Sequence, residues 1–232
     1  MRILIAVAHA DDETLGCFSL LRDHSSEVHI LHATDSAPRD LKYALRSGFS
    51  SRKEYLAARQ SEMQTVLAQA GIPPANYHCL GLADQEAPRY WPRIRAYVEA
   101  FQADRIYTHA YEGGHPDHDA VALALAGLPN LWEFPLYHDR FGAFIPHTFL
   151  NGDPVVSVSF NDEAKRAKRA LLDCFVSQQR VIDLFPIERE LFRPAPVYDF
   201  TQPPHDGVLY YERRKLGWNW TEWRAATGNP LH

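Results

Sequence analysis

The chain has 232 residues, 46% of them hydrophobic and 23% charged, which is globular composition and excludes a disordered or collagen-like chain. Twenty-four Lys and Arg against 29 Asp and Glu leave a net charge of −5, the wrong sign for a general nucleic-acid binder. No apolar run approaches the ~20 residues that cross a bilayer. The three cysteines, Cys17, Cys79 and Cys174, form no C-x-x-C ribbon and read as reduced thiols of a cytoplasmic protein.

The apolar start, residues 2–8, is too short for a signal-peptide core and runs directly into His9-Ala10-Asp11-Asp12-Glu13, so it reads as a buried first strand. Residues 14–24 follow as a helix and 27–34 as a second strand. Residues 35–51, polar and holding Pro38 and Gly48, are expected to be a long loop. A helix over 52–70 stops at Gly71-Ile72-Pro73-Pro74. Then come a strand at 77–82, a helix at 92–102, a strand at 104–109, a helix from Pro116 to Gly127, and a strand at 131–137. This alternation predicts an α/β, Rossmann-like fold: a mostly parallel sheet with helices on both faces. Beyond it, 155–160 reads as a strand. Asn161 caps a helix whose 3.6-residue period runs through Leu171, Leu172, Phe175 and Ile182 to Phe185, where Pro186 stops it. Residues 186–232 hold six of the 16 prolines and three of the five tryptophans, and are expected to be an irregular, aromatic-rich segment. With no repeat or linker, the chain reads as one domain, 1–232.

Two motifs carry the chemistry. In His9-Ala10-Asp11-Asp12-Glu13, a strand hands over to a helix where a dinucleotide-binding fold would have glycines cradling phosphate. Three adjacent carboxylates repel phosphate and make sense around a cation. Gly113-Gly114-His115-Pro116-Asp117-His118-Asp119 opens the helix after another strand. Both motifs fall at the carboxyl ends of strands flanking the reversal of winding, where doubly wound sheets bind ligands. His9, Asp12 and one of His115 or His118 offer two nitrogens and an oxygen, and three protein ligands plus an open position mark a catalytic metal such as zinc. Of the other histidines, His24, His29, His32, His78, His138, His147 and His232 read as surface or packing residues. His109, at a strand end on the crevice, and His205, in the aromatic tail, stay open.

These residues resemble the LmbE-like (PIG-L) metal-dependent N-deacetylases, whose motifs read His-Pro-Asp-Asp-Glu after the first strand and His-Pro-Asp-His further on, matching His9 to Glu13 and His115 to His118. The resemblance covers most of the first 130 residues. It implies that His9, Asp12 and His118 bind zinc. It makes Asp11 the general base, protonated His115 the oxyanion stabiliser, and Asp117 the residue that orients His115. Glu13 and Asp119 are next in line as base. Ala10 stands where the family has proline; the ring binds nothing, so the change is expected to loosen the loop without removing a catalytic group.

Periodicity reaches a further residue independently. With Leu56 at zero and 100° per residue, Arg59 falls at about 300°, between Val66 at about 280° and Met63 at about 340°, on the buried side where a charge needs a partner. The resemblance implies a substrate-binding arginine there. The competing reading is a purely structural pair with Glu62 or an aspartate. The aromatic run Tyr210, Tyr211, Trp218, Trp220 and Trp223 suits a sugar or acyl pocket, a lid over the core, or an oligomer interface. The expected activity is hydrolysis of an N-acyl amide, most simply the N-acetyl group of an amino sugar conjugate, with no nucleic-acid partner, no membrane insertion and a homo-oligomer as the candidate assembly. Another metal-dependent hydrolase, of a phosphoester or a different amide, and a non-catalytic nucleotide-binding or regulatory module are the alternatives.

Overall fold

The computed structural model describes residues 1–230; His232 lies outside them. In chain order the elements are β1 (Ile3–Val7), α1 (Asp12–Asp23), β2 (Val28–Pro38), α2 (Leu41–Arg46), α3 (Arg52–Ala70), β3 (Tyr77–Asp84), α4 (Ala87–Phe101), β4 (Arg105–His109) and α5 (Pro116–Leu125). They continue with β5 (Leu131–Phe134), β6 (Tyr137–His138), β7 (Ile145–Pro146), β8 (Val156–Ser159), α6 (Asp162–Leu172), α7 (Gln179–Ile182), β9 (Arg189–Pro194), α8 (Tyr210–Arg213) and α9 (Trp220–Gly228).

Seven strands form one sheet in the order β3-β2-β1-β4-β5-β9-β8. The first five are parallel, and β9 and β8 close one edge antiparallel. β1 is buried throughout, as a central parallel strand must be when both faces are covered. Its alternate side chains feed two cores. Ile3, Ile5 and Val7 pack with Met63, Val66 and Leu67 of α3 and with Leu172 and Phe175. Leu4 and Ala6 pack with Ile94 and Val98 of α4, Val121 of α5 and Trp223 of α9. The expected sheet with helices on both faces is what forms, and the winding reverses between β1 and β4. Gly16 lets α1 press onto β5, since a Cβ there would sit 2.2 Å from the Phe134 ring.

Three expectations are corrected. The loop expected over 35–51 is partly regular: β2 runs on to Pro38 across two register shifts, with Ser36 at φ 59°, and α2 follows, capped by Asp40. The helix expected to reach Phe185 ends at Leu172. Phe175 turns into the core there, and Gln179 Nε2 donates to the carbonyls of Leu172 (2.8 Å) and Phe175 (3.2 Å), satisfying the groups the broken helix frees. The tail also holds structure: β9 pairs into the sheet, and α9 begins with a capping box between Asn219 and Glu222.

Candidate metal centre and active site

The loop after β1 brings His9, Asp11 and Asp12 to the crevice, and the loop after β4 brings His115 and His118. The paired glycines make the second loop possible: Gly113 has φ 73°, and a Cβ on Gly114 would lie 2.2 Å from the Tyr137 carbonyl oxygen. Pro116 starts α5, and His115 caps it, its Nδ1 accepting from the Asp117 N–H at 3.2 Å.

Three residues face one another through four donor atoms. His9 Nδ1 is 3.2 Å from His118 Nε2 and 3.4 Å from an Asp12 oxygen, and His118 Nε2 is 3.4 Å from the other Asp12 oxygen. Each of these contacts is close to the ~3.3–3.4 Å that separates ligands held ~2.0–2.1 Å from a tetrahedral ion, and Asp12 reaches the two imidazoles through different oxygens, so this triangle of residues is the candidate metal site. The electrostatics agree. Burial alone would drive a proton off His9, yet Asp84, Asp117 and Asp12 outweigh it and hold its pKa well above the ordinary value. The pocket therefore favours a positive charge at this point. Burial lowers His118 to about 3, leaving a neutral ring with a free lone pair; burial would raise Asp12, yet the adjoining imidazoles of His118 and His109, which hydrogen-bond it, hold its pKa well below the ordinary value. His9 Nε2 lies 3.2 Å from the Asp117 carboxylate, the arrangement that fixes a ligating imidazole's ring.

Asp11 has φ 125°, far from where a side-chain-bearing residue rests, and the strain aims its carboxylate at the cavity. Arg59, buried in α3, donates to the Ala10 carbonyl and lies 3.1 Å from Asp11 Oδ2 and 3.2 Å from Glu62. Burial raises the Asp11 pKa to about 7; Arg59 opposes the rise and Asp12 adds to it. Both pairings considered for Arg59 are thus present, while the same side chain lines the cavity wall.

Burial and the neighbouring His9 lower the His115 pKa to about 3, and its Nδ1 already accepts a hydrogen bond. Asp117 is fully buried and accepts from the backbone N–H groups of Gln85 (2.6 Å) and Ala87 (3.0 Å); its carboxylate stands 3.9 Å from His115 Nδ1. Glu13 and Asp119 face away from the crevice. Glu13 is held by His32 (2.9 Å) and Thr14 (2.7 Å), and Asp119 accepts from the N–H groups of Glu112 and Gly113.

The sequence reading left Asp84 out and His109 and His205 open. Asp84, ending β3, lies 3.3 Å from His9 Nε2 and 3.6 Å from His115 Nε2, and its Oδ1 has no hydrogen-bond partner. Its place at the carboxyl end of a parallel strand was the available signal. His109 stacks on His118 at 4.1 Å and sits 3.3 Å from Asp12, behind the triangle. His205 lies apart from the centre and hydrogen-bonds the Asp206 carbonyl at 2.8 Å. Ala10 uses the N–H that a proline would lack: it donates to Ser36 Oγ at 2.8 Å, so the loop is tied down rather than loosened.

All this opens into a cavity of about 1020 Å³, at the upper end of what a drug-sized ligand fills. Tyr137, Phe144, Phe185 and Tyr210 form one wall, with ring centroids 5.2–5.8 Å apart.

Fold and centre together define an α/β protein with a buried imidazole–carboxylate cluster at the switch point of a doubly wound sheet. The model of the family PIG-L, GlcNAc-PI de-N-acetylase, matches residues 4–127, and the chain belongs to that family. Among solved structures it is similar to the A40926 pseudoaglycone deacetylase Dbv21 (21% identity, TM-score 0.59, covering 78% of this chain and 84% of that one). It is also similar to the N,N'-diacetylchitobiose deacetylase from Pyrococcus horikoshii (18%, 0.55, 83% and 82%) and to GalB, the 4-carboxy-2-hydroxymuconate hydratase from Pseudomonas putida KT2440 (14%, 0.54, 86% and 99%). At these identities the likeness is one of fold. A search of curated proteins returned no match. No helix among the described residues is long and apolar enough to cross a membrane.

Proposed function

We propose that this chain is a metal-dependent amidase that removes the N-acyl group, N-acetyl in the simplest case, from an amino sugar conjugate. The observation that carries the reading is the triangle of His9, Asp12 and His118 at 3.2–3.4 Å, with the Asp11 carboxylate beside it on the wall of a large cavity. Membership of the PIG-L family and the deacetylases among its structural neighbours support it.

His9, Asp12 and His118 would hold one divalent ion, zinc or a similar metal. Such an ion supplies Lewis acidity toward a carbonyl oxygen and acidifies water. Asp11 takes the proton of the attacking water as general base and returns it to the leaving amine. Arg59 keeps that carboxylate facing the reacting carbon and completes the wall against which the substrate rests. His115, neutral, presents its Nε2–H to the oxygen that becomes negative; one such donor typically supplies about 3–4 kcal/mol in the transition state. Asp117 orients this centre indirectly, holding the His9 ring and the loop after β3. The tetrahedral carbon then expels the amine, releasing acetate and a free amino sugar.

The hydratase among the neighbours marks water addition to a carbon–carbon double bond as the second chemistry for this fold. Measuring acetate and free amine released from N-acetylated sugars and their conjugates separates the two. The expected result is equimolar acetate and amine, lost on chelation and restored by added metal. Full activity in metal-free protein, or no acetate from any amide, overturns the reading.

A further inference from the structure

A single carboxylate joins one wall of the cavity to its floor. Residues 176–181, running from the turn Val176–Gln178 into α7, all line the cavity. Glu62 of α3 holds this stretch: the Ser177 N–H donates to its Oε1 at 2.7 Å and the Ser177 hydroxyl to its Oε2 at 2.8 Å. The same Oε2 accepts from Arg59 Nη1 at 3.2 Å. Arg59 Nη2 in turn reaches Asp11 Oδ2 at 3.1 Å and donates to the Ala10 carbonyl. Ser177, Glu62, Arg59 and Asp11 therefore form an unbroken chain of contacts from the wall to the carboxylate proposed as base, although Ser177 and Glu62 are 115 residues apart.

Glu62 is the member that this chain can least lose. Arg59 is 2% exposed, and its Nε has no hydrogen-bond partner among the described residues. Its hydrogen bonds are thus confined to its two ends, with Glu62 at Nη1 and the loop after β1 at Nη2. Without Glu62 every remaining hydrogen bond sits on Nη2, and the guanidinium plane can turn about that atom. Charge points the same way. One guanidinium between two carboxylates leaves one negative charge over, and the two Ser177 donors offset it at Glu62 through hydrogen bonds to an ionised acceptor. A second tie between the turn and α3 bypasses Glu62: Gln178 Nε2 donates to Tyr55 Oη at 2.7 Å.

We infer that Glu62 is a positioning residue that places the turn on the cavity wall and the base Asp11 as one unit, so that displacing either displaces the other. This rests on the amidase reading above. Coupling of this kind travels through contiguous contacts and is established by non-additivity rather than by proximity.

Acetate release from N-acetylglucosamine and from p-nitrophenyl N-acetyl-β-glucosaminide by the zinc-loaded protein separates kcat from KM. Glu62→Gln should lower kcat by about tenfold or more and Ser177→Ala by about threefold or more, with metal content unchanged and KM moved less than about twofold. Ser177→Thr, which keeps the hydroxyl, should restore kcat. Tyr55→Phe loosens the other tie and should act on KM. In a double-variant cycle, the kcat losses of Ser177→Ala and Arg59→Lys should fall short of multiplying by about threefold, and should multiply in the Glu62→Gln background. Nitrogen-15 NMR reads the same chain without turnover. A guanidinium gripped at both ends rotates slowly and gives separate Nη signals; those of Arg59 should merge in Glu62→Gln and persist in Tyr55→Phe.

Acetate release with kcat of Glu62→Gln and Ser177→Ala within about twofold of the wild type, or with losses confined to KM or melting temperature, overturns this inference and leaves the amidase reading standing. So do losses in the cycle that multiply with Glu62 in place. Merged Arg59 signals in Glu62→Gln, with no acetate released from either probe by the wild type, overturn the amidase reading and leave the coupling standing.

Discussion

Lys168 Nζ lies 2.8 Å from Glu190 Oε1, both side chains fully buried, at the point where α1 breaks. Cys17 leaves helical geometry there, at φ −135° and ψ 23°. The break frees backbone groups on both sides. Glu190 accepts from the N–H groups of Phe18 (2.7 Å) and Ser19 (2.9 Å), and Lys168 donates to the Leu15 carbonyl at 2.7 Å. A pair drawn from α6 and β9 thus closes the gap and gives the second half of α1 a carboxylate at its start. Lys168→Met leaves that carboxylate buried and unpaired and should cost about 3–5 kcal/mol, read from urea unfolding. Adding Glu190→Leu should recover part of the loss. A cost below about 1 kcal/mol for Lys168→Met would show that the pair does not hold the break together.

The adjacent aspartates should separate cleanly. Asp12→Asn replaces an anionic oxygen of the triangle, so metal content should fall, and activity should return in part with excess metal. Asp11→Asn should keep its metal and lose about 10²–10⁴ in kcat with no rescue, because the amide cannot accept the proton. Metal analysis beside steady-state kinetics checks both. If the phenotypes are exchanged, the roles assigned here are reversed.

The pH profile should carry the mark of Asp11. A base works ionised, so kcat/KM should rise with pH and level off. Burial sets the metal-free carboxyl at about 7, and a divalent ion beside it pulls that value down, so the midpoint should fall between the ordinary carboxyl range and about 7. Arg59 acts in the same direction as the ion. Arg59→Ala should therefore move the acid limb to higher pH and lower kcat/KM with little loss of metal. A lowered melting temperature with an unmoved profile would make Arg59 structural only.

The Ala10–Ser36 hydrogen bond predicts a third phenotype. Ser36→Ala leaves a buried N–H unpaired, at about 1–3 kcal/mol. It should lower kcat while metal binding survives, since His9 and Asp12 flank the bond without making it. Unchanged kcat in Ser36→Ala would mean that the strained Asp11 holds its geometry unaided.

Much of the centre was legible because its residues come in two contiguous motifs at strand ends, where position along the chain already fixes position in space. Asp84 was hidden for the opposite reason: a single aspartate at a strand end looks like any turn residue until the sheet brings it beside His9 and His115. The five parallel strands announced themselves by alternating with helices. The break after Leu172 did not, because Phe175, Ile182 and Phe185 keep helical spacing while entering the core through a turn closed by the Gln179 side chain. The tail was obscured by its prolines and by the brevity of its elements, whose burial against α4 and α5 no local pattern records.

That tail holds the centre from outside. Trp218 Nε1 donates to the Gln85 carbonyl at 2.8 Å, Trp223 Nε1 to that of Pro116 at 3.0 Å, and the Tyr210 N–H to that of Gly113 at 3.1 Å. Every residue proposed to act on the substrate amide or hold the ion is synthesised before position 119, yet the loops after β3 and β4 are fastened by groups made last. A nascent chain emerging from the ribosome therefore carries the whole proposed catalytic set before the segment that fastens its loops has been made.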